Sequence, residues 1–115
     1  MPKIGVHKPL KSKFVSQDSK KLPRENAFYF FSSIGNYIGE SAASLEEFME
    51  KIRAVNVKSL EFHLYREDFE KWISGTLKDK ELAADIQKLR GSNLIGDELR
   101  DQLYLVISKK FNKSK

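Results

Sequence analysis

The apolar positions of this chain change their period at about residue 44. Upstream, AFYFFSSIGNYIG (27–39) sets aromatic and β-branched residues side by side, interrupted by Gly35 and Gly39. That pattern predicts a short strand or buried extended segment followed by a turn, although a run as short as Ala27 to Ser33 fits a helical period as well. Downstream the spacing becomes three and four. SLEEFMEKIRAV places Leu45, Phe48, Met49 and Ile52 on one helical face, and Ser44 followed three residues later by Glu47 has the form of a capping box. SLEFHLYR continues the helical signal with Ser59 as candidate cap, and DFEKWISGTL restarts it at Asp68 with Phe69, Trp72 and Ile73 on one side. Asp79 is expected to cap KELAADIQKL, whose stripe is Leu82, Ala83, Ile86 and Leu89, with Gly91 as its stop. GDELRDQLYLVISKKF aligns Leu99, Leu103, Val106 and Ile107, with acids at its start and lysines at its end, as the helix dipole favours. The expected fold is mainly α, a compact bundle of four to five short helices with extended or disordered basic termini, or α+β if Phe28 to Phe31 form one short strand.

Length and composition narrow the picture. A chain of 115 residues suits one domain, and its longest apolar runs are far too short to span a membrane. The first residues, MPKIGVHKPLKSK, lack the apolar stretch of a secretory signal. Without cysteine there is no disulfide framework, thiol catalysis or thiolate metal site, and with only His7 and His63 a histidine-rich metal site is not expected. No cofactor is implied, and a reducing cytoplasm is the expected location.

The net charge of +5 becomes informative when it is divided along the chain. Residues 1–26 hold Lys3, Lys8, Lys11, Lys13, Lys20, Lys21 and Arg24 against Asp18 and Glu25. The last seven residues hold Lys109, Lys110, Lys113 and Lys115 against no acid, whereas 27–108 has ten basic and fourteen acidic residues. Basicity therefore belongs to the ends. A segment that is basic, poor in large apolar residues and marked by Pro2, Pro9 and Pro23 cannot bury enough surface to fold alone. Three parts follow: a basic extension at 1–26, a helical domain at 27–108 and a basic tail at 109–115.

Candidate chemistry concentrates in SLEFHLYREDFEKW, residues 59–72. A catalytic reading makes His63 a general acid or base oriented by Asp68 or Glu67, but no second histidine or recognisable nucleophile accompanies it. The structural reading makes His63 a partly buried ring, Asp68 the cap of a helix beginning at Phe69, and Phe62, Tyr65, Phe69 and Trp72 a core stripe. A candidate partner groove comprises His63, Tyr65, Arg66 and Trp72. The glycines of GNYIGES and RGSNLIGDE lack phosphate-loop spacing, and Glu46, Glu47 and Glu50 read as a solvated helix face.

The run FYFFSSIGNYIGESAASLEEFMEKI, then SLEFHLYREDFEKWI and DKELAADI, resembles a family of small archaeal domains of unknown function, found alone or beside larger domains that include some of glycosyltransferase type. The resemblance spans about residues 27–107. It implies a fold and an archaeal source but no activity, so Ser44, Leu45, His63, Asp68, Phe69 and Trp72 carry over as pattern positions only. The basic N-terminal extension departs from the family pattern.

Taken together, these features point to a non-catalytic RNA-binding protein, most concretely a ribosomal or ribosome-associated one, whose partners are rRNA and neighbouring ribosomal proteins, with neither a membrane nor a small-molecule substrate. The expected RNA contacts are Lys3, His7, Lys8, Lys11, Lys13, Lys20, Lys21, Arg24, Lys109, Lys110, Lys113 and Lys115, since neutralised phosphates release counterions. The alternative is a protein-interaction or regulatory module that uses an aromatic surface, acting with a carbohydrate-modifying enzyme as the family context suggests.

Overall fold

A computed structural model describes residues 21–114. A single 3₁₀ turn, Arg24–Asn26, leads into an antiparallel hairpin of β1 (Phe28–Ser33) and β2 (Asn36–Ala42). Five helices follow: α1 (Leu45–Ala54), α2 (Val57–Tyr65), α3 (Asp68–Gly75), α4 (Lys80–Arg90) and α5 (Gly96–Ser114). The mainly helical bundle is as expected, but the extended part is two strands rather than one. Gly35 makes the tight connection, at φ +79, a conformation that residues with a Cβ seldom adopt. Register then slips: Phe30 faces Glu40 whereas Phe31 faces Tyr37, so Ile38 and Gly39 bulge out of β2, with Gly39 at φ +84.

The inner face of the hairpin supplies Phe28 and Phe30, which pack against the buried faces of α1, α2 and α3. Phe28 and Phe30 meet at 4.9 Å between ring centroids, Phe28 meets Phe48 at 5.5 Å, and Phe48 meets Phe69 at 5.1 Å, all edge-on, the arrangement that ring quadrupoles prefer. Leu82, Ile86 and Leu89 of α4 and Leu99, Leu103 and Ile107 of α5 complete one continuous core. Arg100 ties α5 to the end of α1 by donating to the carbonyls of Ile52 (2.9 Å) and Val55 (2.8 Å). Among the described residues no helix is long and apolar enough to cross a membrane.

Helix starts follow local chemistry, with two corrections. Ser44 caps α1 by accepting from the Glu47 amide, and Glu47 reaches back to the Ala43 amide (2.8 Å) rather than to that of Ser44. Asp79 caps α4 through the Leu82 amide at 3.0 Å. Ser59 does not cap α2: Asn56 does, by accepting from the Lys58 amide, and the Ser59 hydroxyl is buried without a partner. Nor does Asp68 cap α3. Glu67 occupies that position in the left-handed region (φ 71) with no side-chain cap, and the Asp68 carboxylate turns instead to His63.

The ends also depart from the expected divisions. Lys21 is paired with Glu47, the Leu22 amide donates to Ala43, and the Trp72 indole donates to the Asn26 carbonyl at 2.8 Å, so residues 21–26 are joined to the domain. At the other end α5 runs on to Ser114, so residues 109–114 prolong a helix instead of forming a separate extended tail.

Candidate functional site

His63 sits at the meeting point of the hairpin and α2. A two-stranded sheet leaves each strand with an unpaired edge, and the edge of β1 turned away from β2 needs acceptors for its amides. The Phe31 amide finds one in Nε2 of His63 at 2.8 Å. Accepting that bond requires an unprotonated Nε2, so the neutral ring carries its hydrogen on Nδ1, which donates to the Asp68 carboxylate at 2.8 Å. The same carboxylate oxygen accepts from Nε of Arg66 at 3.0 Å. The elbow at Glu67, in its left-handed conformation, is what returns Asp68 toward α2.

This geometry occupies both ring nitrogens of His63. Its lone pair is committed to a backbone amide and its proton to a carboxylate, and the ring is buried. Burial pushes the imidazole below its ordinary pKa, and the bond to Asp68 opposes only part of that shift. The ring is a buttress that fixes β1 on α2 and α3.

Beside the buttress lies an open groove of about 380 Å³. Strand β1 contributes Phe28, Tyr29, Phe31 and Ser33, the hairpin turn contributes Ile34, and α2 contributes Phe62, with Arg66 and Asp68 at its polar end. The Arg66 guanidinium lies over the Phe62 ring, 4.9 Å from its centroid, and is about half exposed. With Nε bound to Asp68, its two terminal nitrogens keep their donors for a partner. The groove continues onto the outer face of the hairpin, where Tyr37 lies 5.9 Å from Tyr29 and 5.5 Å from Phe31 between ring centroids. Ile34, 81% exposed, stands at the hairpin tip.

Of the four residues proposed from sequence as a groove, the structure brings together His63 and Arg66. Trp72 is buried in the core with its indole turned to Asn26, and Tyr65 points elsewhere, its hydroxyl donating to the Leu94 carbonyl. The predicted stripe of Phe62, Tyr65, Phe69 and Trp72 splits accordingly: Phe69 and Trp72 are core, Phe62 is groove, and Tyr65 is surface. Among the predicted RNA contacts, Lys21 pairs with Glu47 and Lys110 with Asp79 at 3.0 Å, while Arg24 and Lys109 are exposed. Lys113 belongs to the last turn of α5. Lys3, His7, Lys8, Lys11, Lys13, Lys20 and Lys115 lie outside the described residues. Sequence reasoning missed Tyr29, Phe31 and Tyr37 as a surface. The alternation of Phe28 and Phe30 with Tyr29 and Phe31 was the available signal, hidden because both faces of the strand are aromatic. Among the described residues no group of three histidine or acidic side chains converges as a metal site.

With this geometry in place, the chain belongs to a family of unknown function, DUF5752, whose family model matches residues 23–115. The match includes the stretch before Ala27 and the whole of α5, in agreement with the way both are joined to the core. No curated protein and no solved structure matches the chain.

Proposed function

We propose that the protein is a non-catalytic RNA-binding protein of the archaeal cytoplasm, ribosomal or ribosome-associated, held on RNA by its basic ends and by the aromatic face of its hairpin. One observation carries the reading. Arg24, an exposed cation at the end of the basic segment, meets that face: the Tyr29 hydroxyl donates to its carbonyl at 2.6 Å, next to the exposed rings of Tyr29 and Tyr37. A cation able to meet a phosphate thereby adjoins rings on which bases can stack, the combination used for single-stranded nucleic acid. The body offers little attraction of its own, since residues 27–108 carry more acids than bases.

The test is sedimentation of the full chain from a lysate at low and high salt, beside a variant with Lys3, Lys8, Lys11, Lys13 and Lys20 changed to Gln. Migration with a ribosomal subunit that weakens with salt is expected. In purified form, five lost phosphate contacts should flatten the log–log salt dependence by about 3 to 4 on a single strand. A protein that stays at the top of the gradient under every condition refutes the proposal. A second reading, a protein-interaction module acting with a carbohydrate-modifying enzyme, draws on Ile34, whose aliphatic side chain at the hairpin tip suits an apolar protein surface better than a phosphate backbone. Under that reading Ile34→Ser abolishes a salt-insensitive complex and the lysine changes leave it intact.

A further inference from the structure

We infer that the groove beside Arg66 takes a single unpaired nucleotide, its base against Phe31 and Phe62 and its phosphate on the Arg66 guanidinium. The inference rests on the RNA-binding reading and gives that reading a recognition site.

Three features select the occupant. The walls are flat rings, and the groove is open to solvent, which suits a stacked base whose sugar stays in water and not an aliphatic tail that needs enclosure. Arg66 is preoriented from two sides, by the Asp68 carboxylate at Nε and by the Phe62 ring beneath its plane, so its terminal nitrogens present a fixed pair of donors that match a phosphate. Asp68 spends one carboxylate oxygen on His63 and Arg66, and its side chain lines the groove. An acceptor of negative charge there repels a bare polyanion and favours a ligand that brings its own N–H, as the Watson–Crick edge of an unpaired base does. A duplex meets neither condition, because its bases are stacked and their N–H groups are already paired.

The test compares a labelled ten-nucleotide RNA as a single strand with the same strand annealed to its complement, using fluorescence anisotropy at fixed salt with the full chain. The wild type is expected to bind the single strand at least ten-fold more tightly than the duplex. Arg66→Gln and Phe62→Leu should each lower single-strand affinity about ten-fold and bring the ratio close to one. Lys78→Gln, which removes one charge away from the groove, should leave the ratio unchanged. Far-ultraviolet circular dichroism checks that each variant is folded. Equal wild-type affinity for the two forms, or an Arg66→Gln loss no larger than that of Lys78→Gln, overturns the nucleotide site while the RNA reading stands. Failure to bind either RNA overturns both.

Discussion

Changing His63 to Phe keeps a ring of similar size in the same slot and deletes both of its hydrogen bonds. The Phe31 amide loses its acceptor at a partly buried strand edge, which costs about 1–3 kcal/mol. The lost Nδ1–H donation to Asp68 adds about 1 kcal/mol, at the low end for a charged acceptor because Asp68 is partly solvated and keeps Arg66. The sum is about 2–4 kcal/mol, or a melting temperature lower by about 10–25 °C for a domain of this size. Urea titration followed by fluorescence of Trp72, the single tryptophan, measures it directly. His63→Gln should recover about half, since its amide carbonyl can stand where Nε2 stood and accept from Phe31. The titration of His63 gives a second signature. An unfolded imidazole binds its proton near 6.5 and the buried folded one resists it, so the unfolded state holds more protons in the window below that pH. Wild-type stability is therefore full above about 6.5 and falls as the pH drops toward the depressed folded value, by at most about 1.4 kcal/mol per pH unit from this group. The phenylalanine variant lacks this component. A His63→Phe protein within about 0.5 kcal/mol of wild type, with an unchanged pH profile, would refute the buttress.

Other consequences follow from single positions. Ser59→Ala should stabilise by about 1 kcal/mol, because it removes a buried hydroxyl without a partner and improves helix propensity; a lower urea midpoint would contradict this. Ser44→Ala should destabilise by about 1 kcal/mol through loss of the α1 cap, read as a lower melting temperature. Glu67→Gly should raise the urea midpoint by about 0.5–1 kcal/mol in stability, since glycine adopts φ 71 without the steric cost that a Cβ imposes.

Much of the fold was legible because it is written locally. The caps at Ser44 and Asp79 and the stripes of α1, α4 and α5 each follow from residues within a few positions of one another. What was not legible depends on partners distant in sequence. Asp68 stands at a plausible capping position, but a histidine five residues earlier competes for its carboxylate, and the left-handed turn at Glu67 decides the contest. The structural reading of His63 as a partly buried ring matches its burial; that it bonds a carboxylate and a backbone amide at once depends on Phe31, 32 residues away. The aromatic face was obscured for a related reason. Alternation reveals a strand when its two faces differ in polarity, and here Tyr29 and Phe31 are as aromatic as Phe28 and Phe30. Trp72 was drawn to the groove by its size and sequence neighbours, whereas the indole N–H found its acceptor at Asn26, in a segment expected to lie outside the domain.

The division of work between His63 and its neighbours bears on what the groove is for. A titratable ring that approaches a pocket often marks catalysis, but here its two nitrogens are used to hold a strand edge and an acid, and the acid in turn orients Arg66. The polarity runs outward, from a neutral buried ring through a carboxylate to a half-exposed cation, so the imidazole is the most internal of the three and the guanidinium the most external. Such a chain fixes the direction of a guanidinium, which would lower the entropy lost if a partner binds there. The neighbouring rings are held in the same way: Phe31 by the hydrogen bond that its backbone amide donates to His63, and Phe62 by packing beneath Arg66. A prearranged cation beside fixed aromatic faces fits the proposed recognition of RNA, for which the basic N-terminal residues would supply the long-range attraction that a body with an excess of acids cannot.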